Sequence, residues 1–264
     1  MTTVSYAVQD GIATLTLNRP ASLNALDLAM IDDLRATTAR AAVDPAVRVV
    51  IVRGAGEHFM AGGDLKWFRD QLALPPVVRQ SRFEEIIAAA HVSILALKSM
   101  PKPVIAAVQG AVAGFGLSLM MAADLAVAAD NAYFTLAYSN IALSPDGGAS
   151  WSLPRQVGLK QAMEIALLGE RFDAVRAREL GLINRVAPLL ELEAEVLKLA
   201  ARLAAGPTEA LARTKALLNQ SLDNSLEAQL LAEQHSFSAC SMNSDFAEAL
   251  TAFLEKRPAV YGRG

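Results

Sequence analysis

Two short glycine-bearing turns are the stretches of this chain best suited to chemistry. Residues 59–66 read FMAGGDLK, and residues 110–117 read GAVAGFGL. Each turn follows an apolar, β-branched run typical of a buried strand, at residues 47–52 and 104–108. Glycine leaves the backbone N–H groups at such strand exits free to point at a ligand. Two converging N–H groups are what an acyl-transfer or enolate-forming enzyme needs to hold a developing oxyanion.

A carboxylate follows in the segment Ser144-Pro145-Asp146-Gly147-Gly148. Pro145 presets a turn, and the two glycines keep the backbone slim around Asp146. A lone carboxylate beside two oxyanion donors can remove a proton from one carbon and return it to another. The alternative is structural, because an aspartate here could cap a helical run at residues 149–156. Both interpretations stay open on the sequence alone.

The pattern around these turns predicts an α/β core. Residues 4–8 and 12–18 alternate as two strands joined at Asp10-Gly11, which is a hairpin signal. Asp27 is placed to cap a helix that ends near residue 43. Residues 77–99 carry an apolar face at helical spacing, and a helix at 117–122 precedes a strand at 125–129. The recurrence of strand, turn, helix and strand predicts stacked β-β-α units.

The character of the sequence changes towards its end. Amphipathic helical patterns dominate residues 190–205, 208–222, 226–238 and 244–256. Gly206-Pro207 marks a boundary, so we expect a core over residues 1–205 and a helical segment over residues 206–264. Such a segment often packs on another subunit, which makes an oligomer the expectation.

Composition excludes several classes of function. The chain has 264 residues with a net charge of −3 and no basic stripe, so we expect no nucleic-acid partner. Its three histidines lie far apart, which argues against a metal site. The longest apolar stretch, residues 111–129, is interrupted by glycine and Asp124, so we expect no membrane span. A single cysteine, Cys240, and the absence of a signal-peptide pattern predict a cytoplasmic protein.

The two turns belong to a longer series of motifs. The series includes Leu17-Asn18-Arg19-Pro20, Leu23-Asn24-Ala25-Leu26, Ala122-Ala123-Asp124, Asn131-Ala132-Tyr133-Phe134, the segment at 177–183 and the tail at 253–257. In this order the motifs resemble the crotonase (enoyl-CoA hydratase/isomerase) superfamily over nearly the whole chain. The resemblance implies an α/β crotonase-type (ClpP-like) spiral core of repeated β-β-α units with a C-terminal helical trimerisation segment. It also implies a homotrimer or a dimer of trimers, an acyl-CoA thioester as substrate, and no cofactor beyond the coenzyme A carried by that substrate.

The resemblance assigns roles to individual positions. The family's two oxyanion N–H groups fall on Gly63 and Phe115. The residues that match the neighbourhood holding the coenzyme A moiety are Ala25, Ala61, Asp64, Leu65 and Lys66. Lys66 and Lys256 could meet the phosphates of coenzyme A, although lysine is usually a solvated surface residue. Tyr138 is expected either as an aromatic wall of the acyl pocket or as core.

The reaction depends on which residue acts as the base. The two glutamates of the family's hydratases fall on Ser118 and Tyr138, and neither side chain can supply a carboxylate. The Pro-Asp-Gly-Gly stretch at Asp146 resembles the family's isomerases, including the ring-epoxide isomerase of phenylacetyl-CoA degradation. Dienoyl-CoA isomerases share this aspartate but add a glutamate at the position of Tyr138. We therefore predict an enoyl-CoA isomerase in which Asp146 is the single base and Gly63 and Phe115 hold the enolate oxygen.

Three other functions remain as alternatives. Hydratase-type activity is disfavoured by the missing glutamates. The family's aryl-CoA dehalogenases carry a histidine at the position of His91 and an aspartate at Asp146, but they place a tryptophan at Tyr138 and a phenylalanine at Gly63. A lone histidine on a helix such as this one is usually structural. A non-catalytic acyl-CoA-binding paralogue would also lack the two hydratase glutamates.

Overall fold

The structure is a computed structural model that describes residues 2–262. Its strands are β1 (Val4–Gln9), β2 (Ile12–Leu17), β3 (Val49–Gly54), β4 (Met60–Ala61), β5 (Val104–Val108), β6 (Ala111–Ala113), β7 (Leu125–Ala129), β8 (Tyr133–Thr135), β9 (Phe172–Asp173) and β10 (Arg185–Ala187). Its helices are α1 (Leu28–Val43), α2 (Leu65–Asp70), α3 (Pro76–Ser99), α4 (Phe115–Ala122), α5 (Ala149–Val157), α6 (Leu159–Leu168), α7 (Ala174–Glu179), α8 (Leu192–Ala204), α9 (Thr208–Gln220), α10 (Leu226–Ser241) and α11 (Ser244–Leu254).

The strands form two sheets that the chain visits in alternation. The larger sheet has the order β1-β2-β3-β5-β7-β10, and the smaller has the order β4-β6-β8-β9. The pairs β3–β4, β5–β6 and β7–β8 each place one strand in each sheet, and helices follow each pair. Neighbours from β2 to β10 in the larger sheet are parallel. This arrangement is the spiral of β-β-α units that the sequence predicts.

Local sequence explains where the elements begin and end. Asp10 and Gly11 both adopt positive φ, which is the backbone that the tight β1–β2 hairpin requires. The Asp27 side chain accepts a hydrogen bond of 2.9 Å from the Met30 amide and caps α1 as predicted. The strand predicted at residues 47–52 instead runs from 49 to 54. Val47 is buried, but its N–H bonds to the Asp44 carbonyl in the turn that precedes β3.

The larger sheet is covered by apolar side chains on both faces. Along β3, Val50 and Val52 face the core shared with α1 and α4, whereas Val49 and Ile51 face the layer that includes α8. This alternation follows from the two-residue period of a strand, and it explains why β3 is continuously apolar. The strands β3 and β5 therefore hold the two glycine turns on a rigid base.

A largely buried ion pair connects the C-terminal helices to the core. The Lys215 ammonium of α9 lies 2.8 Å from Oδ2 of Asp124, which precedes β7. The same ammonium donates to the carbonyl of Leu97, at the end of α3, at 2.8 Å. The division at residue 205 remains a prediction, because these contacts join the two parts without setting a boundary. Within residues 2–262, no helix combines the length and the apolar character that a membrane crossing needs.

Candidate active site

One large cavity collects most of the residues that the sequence singles out. Its volume is about 1090 Å³, and both glycine turns line it. The predicted site residues on its wall are Ala61, Gly63, Leu65, His91, Phe115, Tyr138 and Asp146. The cavity thus lies where the turns after β4 and β6 meet helix α3 and the segment after β8.

The Gly63 N–H points away from the neighbouring segment. The Leu26 amide donates to the Gly62 carbonyl at 2.8 Å, and the Asp64 amide donates to the Leu26 carbonyl at 3.0 Å. In such a parallel bridge the intervening residue directs its own N–H to the opposite side. Within residues 2–262 the Gly63 N–H has no hydrogen-bond acceptor.

The second donor lies beside the first turn. Phe115 is the first residue of α4, so its N–H is one of the amides that a helix cannot satisfy internally. A Cβ placed on Gly62 would lie 3.8 Å from the Phe115 nitrogen. In the part of the chain that the structure describes, the Phe115 N–H also has no acceptor. Both amides that the resemblance assigns to the oxyanion are therefore adjacent and available to a ligand.

Asp146 lies in the cavity wall, and hydrogen bonds hold both its carboxylate and its backbone carbonyl. The Tyr138 hydroxyl donates to Oδ1 of Asp146 in a short hydrogen bond. The Ser118 hydroxyl of α4 donates to the Asp146 carbonyl at 3.0 Å. The alternative interpretation of Asp146 as a helix cap is wrong: Gly148 is the N-cap residue of α5, and no side chain caps that helix. Gly147 and Gly148 lie between Asp146 and the first residue of α5, and their positive φ angles turn the chain there.

Burial controls the ionisation of this pair. Burial raises the pKa of Asp146 above its ordinary value, and the Tyr138 hydrogen bond and the nearby His91 oppose this rise without cancelling it. Burial and the Asp146 carboxylate raise the pKa of Tyr138. The phenol therefore stays protonated and donates, while the carboxyl group is a stronger base than an exposed aspartate.

His91 contacts the Asp146 segment through the backbone. It lies on α3, lines the cavity, and accepts a hydrogen bond of 3.1 Å at Nε2 from the Gly147 N–H. The histidine thus holds the turn that carries Asp146.

Residues matching the coenzyme A neighbourhood divide into two groups. Ala61 and Leu65 line the cavity. Ala25 and Asp64 instead shape the first turn: the Ala25 carbonyl and the Asp64 carboxylate both accept hydrogen bonds from Arg19, and Asp64 also caps α2. Burial alone would raise the pKa of Asp64, but the bonds from Arg19 and the α2 amides hold it below its ordinary value. Coenzyme A contacts at these residues remain predictions.

The two lysines proposed for phosphate contacts are exposed. Lys66 lies in the first turn of α2, and Lys256 follows α11 in a backbone conformation with φ of 57°. Neither lysine lines the cavity of this chain. Their contact with phosphate remains a prediction.

Two contacts in the site are seen only in the three-dimensional structure. Ser118, which falls on the position of a hydratase glutamate, donates its hydroxyl to the Asp146 carbonyl. Phe68 lies over Gly63, because a Cβ on Gly63 would come within 2.6 Å of the Phe68 Cζ. The rings of Trp67 and Phe83 lie 5.8 and 5.1 Å from that of Phe68, and all three line the cavity. Among the described residues, no cluster of histidine, cysteine and acidic side chains is placed to hold a metal ion.

Comparison with known proteins agrees with this geometry. The family model for enoyl-CoA hydratase/isomerase matches residues 7–264. A probable enoyl-CoA hydratase of Rhodobacter capsulatus is 39% identical over 257 residues, which cover 97% of this chain and 96% of that protein. The 1,2-epoxyphenylacetyl-CoA isomerase of Escherichia coli is 35% identical over 250 residues, or 95% of this chain and 94% of that protein.

The likeness extends to three dimensions. The crystal structure of an enoyl-CoA hydratase from Polaromonas has a TM-score of 0.92 and 37% identity, and the match covers 98% of this chain and 99% of that one. This chain therefore belongs to the enoyl-CoA hydratase/isomerase family and has the crotonase fold. It is an enzyme of a family that acts on acyl-CoA thioesters.

Proposed function

We propose that this chain is an enoyl-CoA isomerase that shifts a double bond with Asp146 as its single base. One observation carries the proposal. Two acidic side chains line the cavity, Asp27 and Asp146. Asp27 caps α1 and lies 3.1 Å from the Arg19 guanidinium. Within residues 2–262, this leaves Asp146 as the lining carboxylate without a cationic partner of this kind.

The reaction uses one proton twice. Asp146 removes a proton from a carbon next to, or conjugated with, the thioester carbonyl. The amides of Gly63 and Phe115 hold the oxygen of the resulting enolate, which a site partly closed to water stabilises far more than bulk solvent does. The protonated Asp146 then returns the proton at a distal carbon, and the double bond moves.

Hydration fits this cavity less well. Adding water to a double bond needs one group to activate the water and another to deliver a proton. Ser118 and Tyr138 stand where the family's hydratases carry glutamates, and both donate hydrogen bonds to Asp146. The names of the relatives include both activities: the Rhodobacter protein is called a probable hydratase and the Escherichia protein an isomerase.

Dehalogenation is a second candidate, supported by His91 and Asp146 in one cavity. In that reaction the histidine assists hydrolysis of an intermediate bound to the aspartate. Here Nε2 of His91 already accepts the Gly147 N–H, so this nitrogen is not free to activate water. A non-catalytic acyl-CoA-binding paralogue is the third candidate, and the raised pKa of a cavity carboxyl weighs against it.

The assembly and location belong to the same proposal. Large apolar side chains stay exposed on the C-terminal helices and in the turn between α10 and α11, among them Phe237 (78%), Met242 (88%) and Phe253 (81%). Exposed apolar surface of this kind supports burial against further copies of the chain, as the trimer or dimer of trimers implied by the family resemblance requires. Coenzyme A enters as part of the substrate. The single cysteine supports a cytoplasmic location.

A substrate panel tests the proposed function. The purified protein is given 3-enoyl-CoA, 2-enoyl-CoA and 4-halobenzoyl-CoA in parallel. We expect the 3-enoyl substrate to gain the ultraviolet absorbance of a conjugated enoyl thioester. Loss of that absorbance from the 2-enoyl substrate would favour a hydratase, release of halide a dehalogenase, and binding without turnover of any substrate an inert paralogue.

A further inference from the structure

Tyr138 connects the two chemical parts of the site. It follows β8 and lines the cavity, and its hydroxyl donates to Oδ1 of Asp146. Its Cζ lies 4.0 Å from the position that a Cβ on Gly114 would occupy. The ring therefore packs against the turn that carries the Phe115 amide while its hydroxyl holds the carboxylate.

We propose that Tyr138 is a positioning residue whose hydroxyl fixes Oδ1 of Asp146 and leaves Oδ2 as the oxygen that carries the proton. The inference rests on the proposed function, and it gives Tyr138 a role other than acyl-pocket wall or core. Tyr138 acts through Asp146 and does not itself exchange the proton.

The carboxylate needs such a partner. Rotation about the last bond of an aspartate side chain is loosely restricted, so backbone contacts alone do not orient its oxygens. Ser118 holds the Asp146 carbonyl, and His91 holds the Gly147 amide, but both act on the main chain. Within the described residues, Tyr138 is the side chain that bonds to a carboxylate oxygen of Asp146. A proton moved between two carbons of one substrate requires an oxygen held within reach of both.

The hydrogen bond also acts on the basicity of the carboxylate. A donor to the charged form stabilises that form. The titratable side chains that act on Asp146 in residues 2–262 are Tyr138, from the segment after β8, and His91, from α3. On the side covered by α4 the contact is Ser118, which does not titrate in this range. Removing the Tyr138 hydroxyl therefore raises the pKa of Asp146 further.

The first test is Tyr138→Phe, which keeps the ring and removes the hydroxyl. We expect kcat to fall about tenfold or more while KM changes little, because the lost bond is to a charged group and orients the base. The acid limb of the pH–rate profile moves to higher pH. The matched control is Tyr133→Phe, on β8 itself: Tyr133 does not line the cavity, and Arg171 covers its ring. We expect no change in that variant.

The second test needs no turnover. The Asp146 carboxyl is titrated by carbon-13 NMR in the substrate-free protein, with the signal assigned by its loss in Asp146→Asn, and circular dichroism checks that Tyr138→Phe is folded. We expect a higher Asp146 pKa in Tyr138→Phe than in the wild type. If the wild type isomerises enoyl-CoA but Tyr138→Phe leaves the Asp146 pKa and the acid limb of the pH–rate profile unchanged, the positioning role is overturned and the proposed function is not. A moved pKa in a protein that isomerises no enoyl-CoA would overturn the proposed function, and with it a role for Tyr138 in that reaction.

Discussion

A Cβ placed on Gly114 would lie 3.4 Å from the Cα of Gly62, so the two glycine turns touch at their glycines. This contact brings together the strand ends of β4 and β6, which pair in parallel. It also sets the distance between the Gly63 and Phe115 amides. Both glycines have positive φ, so a side chain at either one would strain the backbone at this contact.

Gly62→Ala tests whether this contact matters for chemistry. Gly62 has φ of 84°, and an alanine Cβ there would lie 3.4 Å from the Ala113 carbonyl oxygen and 3.8 Å from the Phe115 nitrogen. Strain at this φ in the turn that carries the Gly63 donor should lower kcat, by up to the 10²- to 10³-fold that loss of one oxyanion donor costs in other enzymes.

Gly181→Ala is the matched control for that variant. Gly181 has a similar φ of 81°, but its nearest contact from a new Cβ is 3.7 Å and it does not line the cavity. Both variants pay about 1 kcal/mol for alanine at positive φ. Thermal melting measures this shared cost, and steady-state kinetics measures the difference. Equal losses of kcat in the two variants would contradict a role for the Gly62 contact in the oxyanion site.

The pH dependence of the rate follows from the ionisation of Asp146. The base must be ionised, and burial raises its pKa above the ordinary carboxyl value of about 4. Activity is therefore lost as pH falls through the raised value, at a pH where an exposed aspartate would still be ionised. The measurement is kcat/KM against pH, which reports groups of the free enzyme. An acid limb at or below the ordinary value would speak against Asp146 as the buried base.

Asp146→Asn should stabilise the folded chain at neutral pH. Because the folded-state pKa of Asp146 is raised, the folded chain binds this proton more tightly than the unfolded chain does. Stability from this group is present below the unfolded pKa and is lost as pH rises through the folded pKa. The asparagine carbonyl can still accept the Tyr138 hydroxyl and carries no charge. We expect Asp146→Asn to have a higher Tm than the wild type at neutral pH and a smaller difference at acid pH. A lower Tm at neutral pH would contradict a carboxylate whose ionisation is made unfavourable by burial.

Removing Lys215 should destabilise the fold. The Lys215 side chain is 8% exposed, and its ammonium pairs with Asp124. Burial raises the pKa of Asp124, and Lys215 opposes this rise. Lys215→Met removes the cation that pairs with a largely buried carboxylate, which keeps its hydrogen bond from the Val104 amide. Loss of one partner of a buried pair costs up to about 3–5 kcal/mol in comparable cases. Chemical denaturation measures the loss. The double variant Lys215→Met/Asp124→Asn should lose less than the single one, because no unpaired charge remains; an equal loss would mean that the pair does not matter.

Short-range signals predict much of this fold. Asp10-Gly11, the Asp27 cap and the strands at 104–108 and 125–129 are all fixed by neighbouring residues, and the structure confirms them. The spiral arrangement follows from the resemblance and from the recurrence of β-β-α units. The misplaced strand at 47–52 shows the limit: Val47 is as apolar as a strand residue, but the turn at Asp44 uses its amide.

The partners of Asp146 are harder to predict. Ser118 is 28 residues from Asp146, and His91 is 56 residues from Gly147, to which it bonds. Both contacts therefore depend on how α3 and α4 pack. Tyr138 is eight residues from Asp146, but a short 3₁₀ helix at Ser139–Ile141 and a loop join the two, and this combination gives no fixed spacing. The cap interpretation of Asp146 fails because Gly147 and Gly148 turn the chain before α5 begins.

The most direct test of the central claim is the turnover of 3-enoyl-CoA by Asp146→Asn, with binding of a saturated acyl-CoA measured by calorimetry on the same protein. The matched control is Asp32→Asn, an exposed residue of α1 paired with Arg35. We expect kcat to fall by about 10²- to 10⁴-fold in Asp146→Asn while the affinity for the acyl-CoA and the activity of the control stay near wild type. Turnover by Asp146→Asn at a rate close to the wild type would contradict the account.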